Sequence, residues 1–229
     1  MSNSDDPAVA LAPVREMLRM YSRALSERGV ELQDLQQLVE KNIGWSRGDV
    51  ATSDGVAIFL PAFVERFESQ EDNFSFLKVM LTQQAGHIEF GSFDFEIRRP
   101  SVVFSDLRPR LLDRERREQG SHSHGLDSDD LGPTELTQFF RLFPNSQLAL
   151  DIFSLVESAR IEARVMHEYP GIAVAYRAMR KRALTVRQEI AFLPAREALL
   201  EYLIRVSLGA GDKIKVPAQH VETAADLGR

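Results

Sequence analysis

Apolar residues recur every three or four positions through most of this chain, and glycine or proline interrupts each run. This spacing places apolar side chains on one face of a helix. It predicts helices over residues 8–28, 31–42, 61–67, the segment that Asn73 would cap, the second half of 101–118, 134–141, 145–168, 170–189 and 194–208. We therefore predict a mainly α fold, a single helical domain of about eight helices around one core.

One segment has a different pattern. Asp54-Gly55 is a pair that accepts the positive φ of a tight turn, and the β-branched and aromatic run Val56–Leu60 follows it. The segment predicts a small β-hairpin near residues 49–60, at the edge of the helical core.

Composition excludes several classes of protein. The chain has 229 residues and a formal net charge of −6, whereas a nucleic-acid-binding face has to be basic. It has no cysteine, which excludes disulfides and thiolate metal sites. No apolar run approaches the roughly 18 residues of a membrane span, and the acidic first residues do not resemble a signal peptide. We expect a soluble, cytoplasmic protein that contacts neither nucleic acid nor membrane.

The domain organisation follows from composition along the chain. Residues 119–133 are poor in apolar groups and rich in turn formers, so we expect a mobile loop within a domain spanning residues 1–212. Residues 213–229 alternate charged and small residues, as in a flexible tail. The helical faces predict buried anchors at Leu77, Met80, Leu81, Ile152, Phe153, Leu199 and Leu203.

The most informative string is Thr82-Gln-Gln-Ala-Gly-His87. Zinc peptidases of the zincin type place His-Glu-x-x-His on a helix, where two imidazoles bind the ion and the glutamate serves as base. Here Gln83 occupies the first histidine position and Gln84 the glutamate position. Glutamine cannot take up a proton, so a hydrolase built on this string would lack its base and one ligand. The alternatives are a buried, hydrogen-bonded His87 and the geometry of a lost metal site.

A second acidic segment lies in the predicted helix 145–168. Zincins can draw a third ligand from a glutamate on a later helix, and Glu157 and Glu162 are the candidates. Arg160 is three residues from Glu157, so it would hold that carboxylate in an ion pair. Residue spacing alone favours a solvent-facing row of such pairs.

Further candidates carry less information. His122 and His124 lie in the predicted loop, where solvation is the simplest interpretation. The mixed-charge stretch 108–118 and the basic stretch 177–187 are candidate docking surfaces for a partner. Within the basic stretch the candidate residues are Arg177, Arg180, Lys181 and Arg182. No glycine-rich phosphate loop and no G-x-S-x-G motif occurs.

Several strings in order resemble the region before the von Willebrand factor A domain in the NorD/CbbO family. They are residues 53–61 (SDGVAIFLP), Asn73-Phe74, residues 83–93 (QQAGHIEFGSF), residues 155–162 (LVESARIE) and Tyr169-Pro-Gly171. The resemblance covers roughly residues 30–210. It implies an activator that works with a hexameric MoxR-type AAA+ ATPase on a target metalloenzyme or rubisco. No Asp-x-Ser-x-Ser motif of an A domain occurs, so we expect the A domain to be absent from this chain.

The resemblance also favours a degenerate zincin-like core whose chemistry is lost, with His87, Glu157 and Glu162 as relic positions. The leading hypothesis is a non-enzymatic adaptor module without a cofactor or a tightly bound metal. The alternatives are a zincin-type metal-dependent hydrolase using His87 and Glu157, and a regulatory helical domain unrelated to ATPases. We expect no peptidase activity, and we expect His87 to lie near Glu157 or Glu162 across the two helices, because the old ligand geometry would place them together.

Overall fold

The computed structural model describes residues 6–25, 29–35, 51–53, 55–97, 99, 109, 113, 116–117 and 135–211. The helices are α1 (Leu11–Leu25), α2 (Gln70–Glu89), α3 (Glu135–Arg141), α4 (Ser146–Glu168), α5 (Ala173–Thr185) and α6 (Ala195–Ser207). Two 3₁₀ turns, Pro170–Ile172 and Ile190–Phe192, precede α5 and α6. The strands are β1 (Val9–Ala10), β2 (Glu31–Asp34), β3 (Thr52–Ser53), β4 (Ala57–Leu60) and β5 (Phe63–Val64). The mainly helical class is confirmed, with six α-helices among the described residues.

Two compact units divide the chain. The first contains residues 1–93 and 155–229, and the second contains residues 94–154. In the second unit, phenylalanine rings pack mostly edge to face at centroid distances of 5.2–5.5 Å. These rings are Phe95, Phe139, Phe140, Phe143 and Phe153.

The predicted hairpin is confirmed. Strand β3 pairs antiparallel with β4, and Gly55 in the connection has a φ of 92°. Strand β2 pairs parallel with the other edge of β4, with Glu31 opposite Ala57 and Asp34 opposite Leu60. Strand β4 is buried at all four positions because both of its faces are covered, Ile58 and Leu60 by the main apolar cluster and Ala57 and Phe59 by Leu35. The predicted helix 31–42 is therefore wrong at its start. Leu32 is buried and Glu31 exposed, the alternation of a strand that the pairing with β4 stabilises.

The predicted helix 61–67 and the predicted cap at Asn73 are both wrong. Phe63–Val64 is a strand, β5, paired antiparallel with β1. Helix α2 begins earlier, and its N-cap is Ser69, whose hydroxyl accepts a hydrogen bond from the Asp72 amide at 3.1 Å.

Asn73 instead lies fully buried inside α2 and fixes the preceding segment. Its Oδ1 accepts from the amides of Arg66 and Phe67 at 2.8 and 2.9 Å. Its Nδ2 donates to the carbonyls of Pro7 and Phe67 at 2.7 and 2.8 Å. The donors of Arg66 and Phe67 are satisfied by this side chain, so the segment does not need helical hydrogen bonds.

The core of the first unit has two main clusters. One joins α1, the strands and α2 around Leu18, Ile58, Leu60, Leu77 and Leu81. The other joins α2, α4 and α5 around Val79, Ile161, Val165, Tyr176 and Met179. The predicted anchors Leu77 and Leu81 are confirmed as fully buried, and Met80 packs partly buried against the first cluster. The anchors at 152, 153, 199 and 203 are only partly buried.

The later helices match the sequence pattern closely. Helices α3, α4 and α6 begin and end within one residue of the predicted bounds, whereas the predicted helix 170–189 is a 3₁₀ turn followed by α5. The buried Glu201 carboxylate links helix α6 to Arg187, which lies between α5 and α6. Glu201 accepts from Arg187 Nε at 2.9 Å and from Arg205 Nε at 2.7 Å.

Several expectations fall outside the described residues. They are the rest of the predicted helix 31–42, most of the stretch 101–118, the loop 119–133 with His122 and His124, and the tail 213–229. A count of eight helices also stays a prediction.

Candidate functional site

The zincin-like string lies on α2 where this helix packs closely against α4. A Cβ placed on Gly86 would stand 2.8 Å from the Cγ2 atoms of both Ile161 and Val165. Real Cβ contacts are not this short, so only glycine permits the approach. The small residue in the string is therefore explained by helix packing.

The two glutamines join α2 to different neighbours. Gln83 donates from Nε2 to the carbonyl of Ser158 on α4 at 2.9 Å, and its Oε1 accepts from the Tyr176 hydroxyl on α5 at 3.0 Å. Gln84 donates to the Ala51 carbonyl at 3.2 Å and accepts from the Ser53 hydroxyl at 3.0 Å. Each amide thus uses both its donor and its acceptor in tertiary structure.

His87 and Glu157 approach each other through a serine. The Ser92 hydroxyl lies 2.8 Å from His87 Nδ1 and donates to Glu157 Oε1 at 2.5 Å. The expected juxtaposition of His87 with Glu157 is therefore present, bridged by Ser92. Sequence reasoning did not single out Ser92. The available signal was Gly91, which ends α2 at a φ of 72° and turns the chain back so that the Ser92 amide donates to the His87 carbonyl.

Arg160 anchors the other side of Glu157. Its Nη2 and Nε donate to the two carboxylate oxygens at 2.6 and 2.7 Å, which confirms the expected ion pair. Only 14% of the Glu157 side chain is exposed, so the solvent-facing interpretation is wrong for this residue. Arg160 also donates to the Phe90 carbonyl at 3.1 Å, so the ion pair closes the C-terminal end of α2.

The electrostatics fix the protonation of this chain of groups. The Arg160 hydrogen bond, assisted by Ser92, holds the pKa of the Glu157 carboxyl below its usual range despite partial burial. Burial lowers the pKa of His87, against the opposing attraction of Glu157. At neutral pH Glu157 is ionised and only accepts, so Ser92 donates to it and His87 Nδ1–H donates to Ser92. The hydrogen-bonded series His87–Ser92–Glu157–Arg160 thereby leaves the lone pair of the neutral imidazole on Nε2.

The remaining relic candidate, Glu162, belongs to a different contact. Its carboxylate accepts from Arg180 on α5 at 2.6 Å, and its side chain is 14% exposed. Within the described part of the chain, no cluster of three or more His, Asp or Glu residues is arranged to hold a metal ion. None of the helices described there has the length and apolar character to cross a bilayer.

The basic stretch divides into two kinds of residue. Arg177 and Lys181 are exposed on α5. Arg180 is paired with Glu162, and Arg182 donates to Asp72 at 2.7 Å with its guanidinium 4.6 Å from the Phe67 ring centre. Arg180 and Arg182 are only partly exposed, and their ion pairs join α5 to α4 and α2.

No family model, curated protein sequence or solved structure matches this chain.

Proposed function

We propose that this chain is a cytoplasmic, non-catalytic adaptor module that couples a MoxR-type AAA+ ATPase to the activation of a target enzyme of the rubisco or nitric oxide reductase type. The ordered strings that resemble the NorD/CbbO family support the ring partner. The observation that carries the non-catalytic part is the engagement of the zincin-like positions. The side chains of Gln83, Gln84 and Glu157 each form hydrogen bonds with neighbouring segments of the structure.

The same observation disfavours the hydrolase alternative. A zinc peptidase needs a base that takes a proton from the metal-bound water, and Gln84 is neutral and bonded to Ala51 and Ser53. To serve as a third metal ligand, the Glu157 carboxylate would have to break its ion pair with Arg160, which is bidentate and partly buried. We therefore interpret the closely packed α2 and α4 as a degenerate zincin-like core that serves as a scaffold.

The docking surface in this proposal is the exposed part of α5. Arg177 and Lys181 are four residues apart on one face of α5, and both are exposed. Exposed charges at the rim of an interface mainly accelerate association and make it sensitive to salt. Arg180 and Arg182 are weaker docking candidates because their charges are already paired with Glu162 and Asp72.

The test is complex formation with the MoxR-type ATPases of the source organism. We expect the purified chain to co-elute with one such hexamer in the presence of ATP and to change its ATPase rate. The double variant Arg177→Glu/Lys181→Glu is expected to weaken this binding most at low ionic strength, with an unchanged circular dichroism spectrum.

A matched control is Arg23→Glu/Arg141→Glu, which reverses two exposed charges on other helices. It has the same net charge change and is expected to leave docking unchanged. Absence of any complex would overturn the adaptor proposal. A complex that both double variants weaken equally would remove α5 as its docking surface, because net charge alone would then explain the effect.

A further inference from the structure

Helix α1 has two apolar faces, and only one of them belongs to the core. Leu11 and Leu18 lie on the buried face, each with 1% of its surface exposed. The other face is a seam of exposed residues at spacings of four, three and four, which are Pro13, Met17, Met20 and Ala24. The two methionine side chains are 47% and 58% exposed. Apolar residues at this spacing form the strip through which one helix packs against another.

A row of arginines borders the seam along one side. Arg15, Arg19 and Arg23 recur every four residues, so they lie on the same side of α1. Glu16 is the one carboxylate on this helix, and it is already in an ion pair with Arg19. Within the described part of the chain, Arg15 and Arg23 form no ion pair, and the Arg15 Nε has no hydrogen-bond partner. The row therefore keeps an excess of positive charge.

A further cation lies on the opposite side of the seam. The Lys78 ammonium on α2 lies 4.8 Å from the centre of the Tyr21 ring. Tyr21 is four residues after Met17 and borders the seam on the side away from the arginine row. The exposed face of α1 is therefore an apolar seam with cations on both flanks.

This combination selects one kind of occupant, a helix with an apolar stripe and acidic flanks. A second copy of the chain would present the same excess of positive charge, so two such faces would repel each other. A lipid surface requires a broad face of large apolar side chains. The leucines of α1 are in the core, and the two methionines are the only large side chains of the seam.

We propose that the exposed face of α1 is a docking surface for an acidic amphipathic helix of a partner protein. The 15 residues of α1 span about 22 Å, which accommodates about four turns of a partner helix. The methionines supply apolar contact that adjusts to the partner, and the cations select the sign of its charge. The proposal uses no residue of α5 and does not rest on the adaptor proposal.

The experiment measures the fluorescence anisotropy of labelled helical peptides titrated with the purified full chain. The acidic probe is as long as α1 and has leucine along one stripe and glutamate on both flanks. The basic probe has lysine in place of each glutamate, and the polar probe has serine in place of each leucine. We expect saturable binding of the acidic probe that weakens with salt, and at least about ten-fold weaker binding of the other two. Equal affinities of the acidic and basic probes, or non-saturable binding, would overturn the proposal.

Two pairs of matched variants locate the site. Arg23→Gln is expected to weaken the acidic probe by about two- to five-fold, the range of an exposed ion pair, whereas Arg141→Gln on α3 leaves it unchanged. Met20→Ala is expected to weaken it about four-fold or more, the effect of one buried methylene, whereas Val174→Ala on α5 does not. All four side chains are exposed, so the variants are expected to fold. Equal effects within either pair would show that the probe binds elsewhere and would overturn the proposal.

Two further measurements test the other occupants of this face. We expect the chain not to sediment with vesicles of phosphatidylserine and phosphatidylcholine, and to remain a monomer in analytical ultracentrifugation. Vesicle binding that Arg23→Gln and Met20→Ala weaken, without binding of the acidic probe, would assign the face to a lipid surface and overturn the proposal. A dimer that the same two variants dissociate would assign it to a second copy, with the same consequence.

Discussion

Gly86 gives the sharpest test of how α2 and α4 are held together, and Gly86→Ala is the perturbation. The added methyl would stand 2.8 Å from the Cγ2 atoms of Ile161 and Val165, two side chains with no exposed surface. Inserting a methyl into a packed core costs about 1–3 kcal/mol. Replacing glycine by alanine within a helix returns about 1 kcal/mol. The difference is a net loss of about 0–2 kcal/mol in the free energy of unfolding, and because both blocking methyls are themselves buried we expect the upper half of that range.

The matched control is Gly171→Ala. A Cβ at Gly171 meets no atom within 4 Å, so this substitution is expected to be neutral or to stabilise by about 0.4–1 kcal/mol. The assay is urea denaturation followed by circular dichroism. Val165→Ala supplies a second check, since it removes one blocking methyl and should cost less in the Gly86→Ala background than alone. We expect a coupling energy of about 0.5 kcal/mol or more. Equal stability of the two glycine variants, with additive effects at Val165, would refute the close approach.

Four other positions yield separate predictions. Burial alone would raise the pKa of the Glu201 carboxyl, but its two arginine partners lower it. The ionised carboxylate therefore stabilises the folded protein fully above the unfolded pKa of about 4.3, and this contribution is lost as the pH falls below that value. Glu201→Gln should cost about 1–3 kcal/mol at pH 7 in urea denaturation and flatten the loss of stability in acid. Asn73→Ala should cost at least about 2 kcal/mol in the same assay, because it removes four hydrogen bonds of a fully buried side chain; a smaller loss would contradict its role. Burial lowers the pKa of His87, so stability should decline as pH falls below about 6.5, and His87→Gln should remove that part of the pH profile. Gln84→Glu should lower the melting temperature at pH 7, whereas unchanged stability would show that the amide is dispensable.

The helices that sequence predicted well are long and carry their own signal. Helix α4 extends over Ser146–Glu168, and both of its ends are visible in the sequence. Asn145 accepts from the Leu148 amide at 3.0 Å at one end, and Pro170 follows the other. Local caps and a sustained apolar period determine such an element, so its bounds can be predicted without tertiary contacts.

The strands β2 and β5 could not be predicted in the same way. Each is two to four residues long, and each is stabilised by pairing with a strand distant in sequence, β5 with β1 and β2 with β4. The residue type of Asn73 indicated a helix cap. Asn73 instead lies inside the helix, where its side-chain amide forms hydrogen bonds with backbone groups of three other residues. Bonds between distant segments outweighed the local preference in these cases.

The candidate site was predictable in its outline. The spacing of Gln83 and His87 on one helix and Glu157 on another indicated which helices would meet, and the Glu157–Arg160 pair followed from three-residue spacing. The bridging Ser92 was not predictable, because it lies beyond the end of α2 and reaches His87 only through the turn at Gly91. The internal pairing of Arg180 with Glu162 depended on how α5 packs on α4, which no local pattern contains.

The glutamine at position 84 suits a scaffold for a reason beyond the loss of a base. Its amide donates to the Ala51 carbonyl and accepts from the Ser53 hydroxyl, so it needs a donor and an acceptor on one short side chain. A glutamate in its ionised form has only acceptors and would set its charge against that carbonyl. The tie between α2 and the hairpin therefore selects an amide at the position where zincin chemistry would need a carboxylate. The stability of this fold and zincin catalysis at this position make opposite demands on the same residue, which is a physical reason for the proposal that the module is non-catalytic.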